Sequence, residues 1–476
     1  MKGFGNQIEH NNRLNNLTAI NYYKKIMSEA LKYHSKGNIS EAKKYYQKLI
    51  KDGFEDAKVF NNYGIILVNS GKFNKAESSI RKSIELNPKD PTAHANLGGI
   101  LINFGKLEEA ELSIRKALEL NPNFVDAYLN LGNVLKDLRR LKEAELSIRE
   151  AIRLNPNFDE AYLCLGNILR EMSKLEEAEL YTRKAIQLKP NFGNAYLTLG
   201  IILRCLGKLE EAELYTRKAI ELNATSDLAL SFRNLSLLLY VKGDVDLALK
   251  NIEKAASIDP LSKDNKLLLS IFRKRNNPEE KKIATYNNVQ TPSSKLFSSP
   301  IIINKPVEPD LIKSLYEIKA LDLNKFTDPS CGSARGSDYK LFENNKKITK
   351  KLEKDLIAIT EKIVNSDVFF RDSFFTILGG KSEIIKHNHI GDMDKLLNLN
   401  LWKQKYSLVY YLSIGDQDCQ NPGILKFYKN KHDKNSNQEI LPSEGMIVIF
   451  PADRYHSVKY DGNKDRIIIG VNFYSI

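Results

Sequence analysis

Three histidines and one arginine near the C-terminal end are the residues of this chain best placed to do chemistry. His387-Asn388-His389 follows the strand-like run Ser382–Lys386, and His456 follows Met446–Phe450, an apolar run after Gly445. Arg466 lies ten residues beyond His456. In a strand, residues i and i+2 face the same way, so His387 and His389 can share one metal ion. His456 comes from a second strand, as in a jelly roll whose facing strands meet, and completes a three-imidazole set. Imidazole suits Fe, Zn, Cu and Ni, so ligand type alone does not choose the metal. Arg466 stands where a fixed planar cation can hold a dicarboxylate in a bidentate fork.

The other titratable candidates lack such a pattern. His10, His34 and His94 lie in or before a helical region, and His432 sits in a solvated Lys/Asn-rich loop. The four cysteines, Cys164, Cys205, Cys331 and Cys419, form no CxxC pair. That argues against a zinc knuckle or disulfide framework and points to a reducing, cytoplasmic setting.

The elements that must position the histidines begin near residue 300. From there Val, Ile, Phe and Tyr occur in short runs separated by Gly, Asp and Asn, which reads as a β-sheet domain over residues 300–476. Helical pattern returns once, at Ile348–Val364, with Leu352, Leu356, Ile359 and Ile363 on one face. Before it, residues 276–299 carry Pro278, Pro292 and a Ser/Thr/Asn cluster and read as a linker.

Residues 23–275 are an internal repeat, preceded by a polar segment, 1–22. Gly64, Gly98, Gly132, Gly166 and Gly200 are each 34 residues apart, as are Ala42, Ala76, Ala110, Ala144, Ala178 and Ala212. Pro88, Pro122, Pro156 and Pro190 close successive units, and a two-residue insertion moves the last markers to Ala248, Ala255 and Pro260. Each unit is a pair of antiparallel helices, with Gly and Ala where backbones approach most closely. One pair cannot bury its own apolar face, so about seven units stabilise each other in series. A capping helix follows near Lys266–Arg275.

This period and these markers resemble the tetratricopeptide-repeat family. The resemblance implies an all-α superhelix whose concave groove holds a protein or peptide. One position of the first helix reads Asn62, Asn96, Asn130, Cys164, Thr198 and Phe232 along the array. The units are similar to the repeats of protein O-linked N-acetylglucosamine transferases, where such an asparagine ladder grips a peptide backbone. An amide donates to a carbonyl and accepts from an N–H, so it reads backbone without reading sequence. Asn62, Asn96 and Asn130 are therefore groove candidates, with consensus packing as the alternative. The repeats alone also suggest glycosyl transfer, but the C-terminal region has neither room nor signature for a two-lobed nucleotide-sugar domain.

The C-terminal half carries a second resemblance. Ser407–Leu412, Gly423–Phe427, Gly445–Pro451, His456 and Arg466–Asn472 occur in one order. The order looks like the 2-oxoglutarate/Fe(II)-dependent oxygenase superfamily, and most like a poorly characterised branch with an HxH motif. The resemblance implies a double-stranded β-helix, Fe(II) held by His387 and His456, and the co-substrate carboxylate on Arg466. The superfamily's usual third ligand is Asp where this chain has His389, and Asp392 or Asp394 stands as an alternative. Its usual hydroxyl two residues after the arginine is replaced by Ile468. Leu408 replaces the branch's glycine, and an insertion over Lys395–Lys405, with Trp402, has the makings of a lid.

Two functions remain in play. One is an Fe(II)- and 2-oxoglutarate-dependent oxygenase that hydroxylates a protein or peptide presented by the repeats. The other is a non-catalytic scaffold with an inactive jelly-roll module. The net charge of +13 is moderate for 476 residues, and no basic run alternates with aromatics, which points away from nucleic acid. Met1–Asn16 lacks the apolar core of a secretory signal, and no stretch approaches 18 uninterrupted apolar residues, so no membrane span is expected. Limited proteolysis is expected to cut first between about Asn276 and Pro300, where Pro/Ser-rich chain is the preferred nick site. A first cut inside Leu97–Pro190, read by mass spectrometry, would refute that boundary.

Overall fold

The computed structural model describes residues 21–222, 227–276, 299–318, 320–322, 334–337, 339–344, 346–380, 382–390 and 401–476. The chain divides into two compact units, residues 1–226 and 227–476.

The first unit is a stack of helix pairs. Residues 21–35 and Ile39–Lys51 form the first pair, Ala57–Asn69 and Phe73–Leu86 the second, Pro91–Asn103 and Leu107–Leu120 the third. Val125–Asp137 with Leu141–Leu154, Asp159–Glu171 with Leu175–Leu188, and Gly193–Cys205 with Leu209–Glu221 continue the series. The spaced alanines, among them Ala110, Ala144, Ala178 and Ala212, are fully buried. The spaced glycines lie where the two helices of a pair touch. A Cβ added to Gly132 would overlap Ile148 Cδ1 and stand 2.6 Å from its Cγ1. Small residues are therefore a packing requirement and not a composition bias.

A second regularity ties each pair to the next. Glu111 pairs with Arg115 at 2.8 Å on its own helix and with Arg140 at 2.7 Å one repeat later. Glu145 does the same with Arg149 and Lys174, and Glu179 with Arg183 and Lys208.

The second unit opens with one more helix pair, Leu228–Val241 and Val245–Ile258, then α1 (Lys263–Asn276). The sequence assigns this pair and the capping helix to the array, whereas by packing they join the β-rich region. Asp264 on α1 pairs with Arg371 at 3.0 Å and Arg233 at 3.4 Å. Lys263 reaches Glu343 and the Arg371 carbonyl, both at 2.7 Å, and Lys274 donates to the Ile476 carbonyl at 2.7 Å.

Beyond α1 come β1 (Ile301–Asn304), α2 (Pro309–Tyr316), β2 (Leu321–Asp322), β3 (Arg335–Gly336), α3 (Lys347–Val364), β4 (Val368–Leu378) and β5 (Ser382–His387). Then follow β6 (Lys405–Ser413), β7 (Leu425–Tyr428), β8 (Gln438–Ile440), β9 (Met446–Pro451), β10 (Tyr455–Tyr460) and β11 (Arg466–Ser475). They build two antiparallel sheets, β1-β9-β6-β11-β4-β3-β2 and β5-β10-β7-β8, and neither closes on itself. Tyr411, Ile468 and Leu378 of the larger sheet share one core with Phe427, Val458 and Tyr460 of the smaller. The larger sheet's other face carries Phe375, Leu408, Tyr410 and Ile469 against Leu311 and Leu315 of α2 and Leu352 and Leu356 of α3.

The expected helix at Ile348–Val364 is present as α3, but helical structure returns more than once. The eight residues of α2 are too few for a helical period to stand out. Of the expected insertion, residues 395–400 lie outside the described residues. Leu401–Gln404 form a short 3₁₀ helix, and Lys405 already opens β6.

Gly132→Val is expected to destabilise the array by about 1–3 kcal/mol, the cost of overpacking a tight contact. Leu112→Ala, at a site that is 70% exposed, should change it little. Urea unfolding followed by circular dichroism checks both, and equal midpoints for the two variants would refute the packing account.

Candidate metal and anion site

The three histidines meet at one end of the smaller sheet. His387 is the last residue of β5 and pairs in register with His456 of β10. His389 lies just past the strand. Its backbone N–H donates to the Ala452 carbonyl at 2.8 Å, and Lys405 Nζ donates to its carbonyl at 2.6 Å. The i, i+2 relation thus brings His387 and His389 together, but the turn after β9 and not a ladder fixes the second ring.

The ring centroids are 4.4 Å apart for His387 and His456, 4.9 Å for His387 and His389, and 5.0 Å for His389 and His456. One nitrogen from each ring lies within 4.8 Å of the others, so the triad can hold a metal ion. The His456 Nδ1–H donates to the Arg454 carbonyl at 3.1 Å. That bond sets the tautomer and leaves Nε2 as the ligand atom. Burial holds the His456 imidazole down at about 3, with the neighbouring His387 adding to the effect. Burial likewise keeps His389 well below the usual histidine range, helped by His456 and His387. These rings stay neutral, as metal ligands must. No carboxylate joins the cluster among the described residues. Asp392 and Asp394 lie outside them.

Arg466 is fully buried at the start of β11, between β4 and β6. Its Nη1 donates to the Pro422 carbonyl at 3.0 Å and also to the Gly423 carbonyl. Its Nε and Nη2 are buried with no hydrogen-bond partner, and so is the Tyr411 hydroxyl. The guanidinium carbon lies 4.9 Å from the centre of the Tyr411 ring. Burial pushes the Tyr411 hydroxyl up and works against the Arg466 charge; the two groups lie close enough to offset part of this for each other, without a hydrogen bond of good geometry between them. Three polar groups without partners in one place ask for a ligand. The Nε–Nη2 edge is the side of a guanidinium that matches the two oxygens of a carboxylate. Sequence reasoning missed Tyr411. Its signal is parity on β6, where Ser407, Val409 and Tyr411 line the cavity while Tyr410 turns away to the Lys305 and Pro306 carbonyls.

His387, His389, His456, Tyr411 and Arg466 all line one cavity of about 350 Å³. Ile468 also faces it, an apolar wall where a hydroxyl was sought.

The groove candidates lie on successive first helices of the array. Asn62 Nδ2 donates to the Tyr46 hydroxyl at 3.2 Å, and Asn96 Nδ2 donates to Asn61 Oδ1 at 2.9 Å. Asn130 is half-buried and its side chain makes no hydrogen bond among the described residues. Two of the three amides thus have one donor bound within the array. No helix among the described residues is long and apolar enough to cross a membrane.

Tetratricopeptide-repeat models match residues 29–51, 61–123, 114–145, 148–179 and 193–226, and these stretches are tetratricopeptide repeats. Among solved structures, PilF of Pseudomonas aeruginosa is 22% identical, with 46% of this chain and 97% of that one covered and a TM-score of 0.41. A tetratricopeptide-repeat protein from Parabacteroides merdae is 18% identical, with 53% and 98% covered and a TM-score of 0.44. YrrB, described as having an unusual peptide-binding site, is 27% identical, with 42% and 99% covered and a TM-score of 0.33. Among curated proteins none matches the chain.

The depressed histidines make stability depend on pH. Between about 3 and the ordinary 6.5, the unfolded chain takes up a proton that folded His456 refuses. The metal-free protein should therefore be most stable above about pH 6.5, with melting temperature falling as pH drops towards 4.5. His456→Asn should flatten that fall. Identical pH profiles for the two proteins would show that His456 is not held neutral by burial.

Proposed function

We propose that residues 300–476 form a double-stranded β-helix oxygenase module that uses Fe(II) and 2-oxoglutarate to hydroxylate a protein or peptide recruited by the repeats. The observation that carries this reading is the unpartnered Nε–Nη2 edge of Arg466 beside the unpartnered Tyr411 hydroxyl, in the same cavity as the three histidines.

The residues present fit both groups. His387, His389 and His456 would each hold the metal through one ring nitrogen, leaving further coordination positions for co-substrate. Arg466 would fork onto the distal carboxylate of 2-oxoglutarate, and Tyr411 would donate the third hydrogen bond, taking over from the hydroxyl that Ile468 lacks. Such a centre supplies oxidation of an unactivated C–H bond, with O₂ consumed and 2-oxoglutarate split into succinate and carbon dioxide. The chain's own part is to orient these groups and keep water from the apolar walls around them. The repeats supply recruitment, as arrays of this kind offer an extended surface to another chain.

Anaerobic titration with Fe(II) and 2-oxoglutarate, followed by the visible charge-transfer band of the chelate, tests the reading. Arg466→Ala should lose a charge-assisted fork of about 2–3 kcal/mol, or roughly 30- to 150-fold in 2-oxoglutarate affinity. Arg466→Lys keeps the charge without the fork and should fall between. Gly423→Ala should also weaken binding, because a Cβ there would overlap Arg466 Nη1 and the residue sits at φ +78°. His456→Ala should abolish metal binding and His432→Ala, in an exposed loop, should not. Loss of iron in His389→Ala assigns the third ligand to His389. Loss only in Asp392 or Asp394 variants assigns it there. No 2-oxoglutarate binding by the wild type would leave the scaffold reading in its place.

A further inference from the structure

The cavity extends well past the anion-binding end. Its lining runs along β11 from Arg466 through Ile468 and Gly470 to Asn472. Six residues of strand span about 20 Å. Asn472 pairs with Ser407 of β6, two residues from Lys405, whose Nζ meets the His389 carbonyl. This end of the cavity therefore lies beside the metal ligands, remote from Arg466.

Its chemistry is distinct. Among the described lining residues there is no Asp, Glu or Lys, and the one cation is Arg466 at the other end. The Phe374 ring fills the space where a Cβ on Gly470 would stand, and Tyr339 packs on Phe374 with ring centroids 4.9 Å apart. Tyr339 is 49% exposed and holds φ +64°, a conformation that bulky residues rarely adopt. The same cavity is lined by one buried amide. The Ser407 hydroxyl donates to Asn472 Oδ1 at 2.9 Å, with the two residues 2% and 6% exposed. With its oxygen held by Ser407, Asn472 keeps Nδ2 as a donor, which has no hydrogen-bond partner among the described residues.

We propose that this end of the cavity receives a neutral, apolar segment of peptide, and that Asn472 Nδ2 donates to a carbonyl of that segment while Phe374 and Tyr339 cover its side chain. The proposal rests on the oxygenase reading and names its substrate class. A lysine or arginine side chain entering here would be desolvated without a counter-charge and would face the positive metal end, so the site discriminates against them. A buried donor that a carbonyl satisfies rejects ligands that leave it unpaired, which gives the site selectivity as well as affinity.

The test uses the full chain loaded with Co(II) and 2-oxoglutarate, with the visible cobalt absorption as readout, so turnover is not needed. The probes are three peptides, acetyl-Gly-X-Gly-amide, with X as Leu, Pro or Lys. The Leu or Pro peptide should perturb the spectrum saturably and bind at least roughly tenfold more tightly than the Lys peptide. Asn472→Ala should weaken that binding roughly five- to tenfold. Its affinities for Co(II) and 2-oxoglutarate should stay within about twofold. Ser407→Ala, which unpins the amide, should show an intermediate loss and serves in its place where Asn472→Ala fails to hold cobalt. Tighter binding of the Lys peptide, no perturbation by any peptide, or an unchanged affinity in both variants would overturn the proposal while leaving the oxygenase reading intact. Failure of the wild type to bind Co(II) or 2-oxoglutarate would overturn both.

Discussion

Burying a guanidinium in a protein core is costly unless its charge and its five N–H groups are matched, and Arg466 is matched only in part. The surrounding backbone is arranged to meet part of that demand. The Pro422 and Gly423 carbonyls turn inward to accept from Nη1, which brings the loop before β7 so close that only a residue without a Cβ fits. The neighbouring loops are tied down through Tyr460, whose hydroxyl accepts from the Asp416 N–H and donates to the Lys464 carbonyl. With β11 central in its sheet and these loops fixed, the Nε–Nη2 edge cannot turn away to find solvent. The remaining charge is left for something that enters the cavity.

The two kinds of structure in this chain solve stability differently. In the repeats, each contact is between neighbours in sequence. Gly132 against Ile148 serves within a pair, and Glu145 between Arg149 and Lys174 serves between pairs. Burial raises the Glu145 carboxyl, and the two cations more than reverse this. Each such exposed pair contributes only about 0.2–1 kcal/mol, but the pattern recurs along the array, and in a one-dimensional stack small interface terms add. In the β-rich region the decisive contacts are long-range. His387 meets His456, Tyr411 meets Arg466, and Ser407 meets Asn472, all through sheet register. A defect in one repeat stays local, whereas a shift of one residue in β6 or β11 would turn Tyr411 or Arg466 out of the cavity.

This difference also governs what could be read from the sequence. The repeats were legible because the period writes each contact into the chain several times over. The histidine cluster was legible because His387 and His389 are two residues apart and His456 follows a recognisable apolar strand. Tyr411 was not, because Tyr410 and Tyr411 are equivalent until register shows which one faces Arg466. The place of the last helix pair was hidden too. Its markers continue the repeat, and it is the capping helix after it, through Asp264 and Arg371, 107 residues further on, that meets the β-rich region. The amides at Asn62 and Asn96 carry the ladder pattern, yet each has a donor bound within the array, which a periodicity cannot reveal.

The neutral ligand set has a consequence for how the proposed site would load. Two histidines and a carboxylate cancel one of the two charges on a divalent metal, and three imidazoles cancel none. Here the nearby Arg466 adds a further positive charge in the same cavity. In the proposed site, metal binding alone would accumulate positive charge in a low-dielectric space, and 2-oxoglutarate, a dianion, would relieve it at both ends at once. Each partner then improves the affinity of the other by the same factor, since coupling between two bound species is reciprocal. Replacing His389 by aspartate would place the compensating charge in the protein itself, raising the affinity for metal alone and weakening the dependence on the dianion. In the proposed site, His389 would thus favour metal and dicarboxylate binding as a pair.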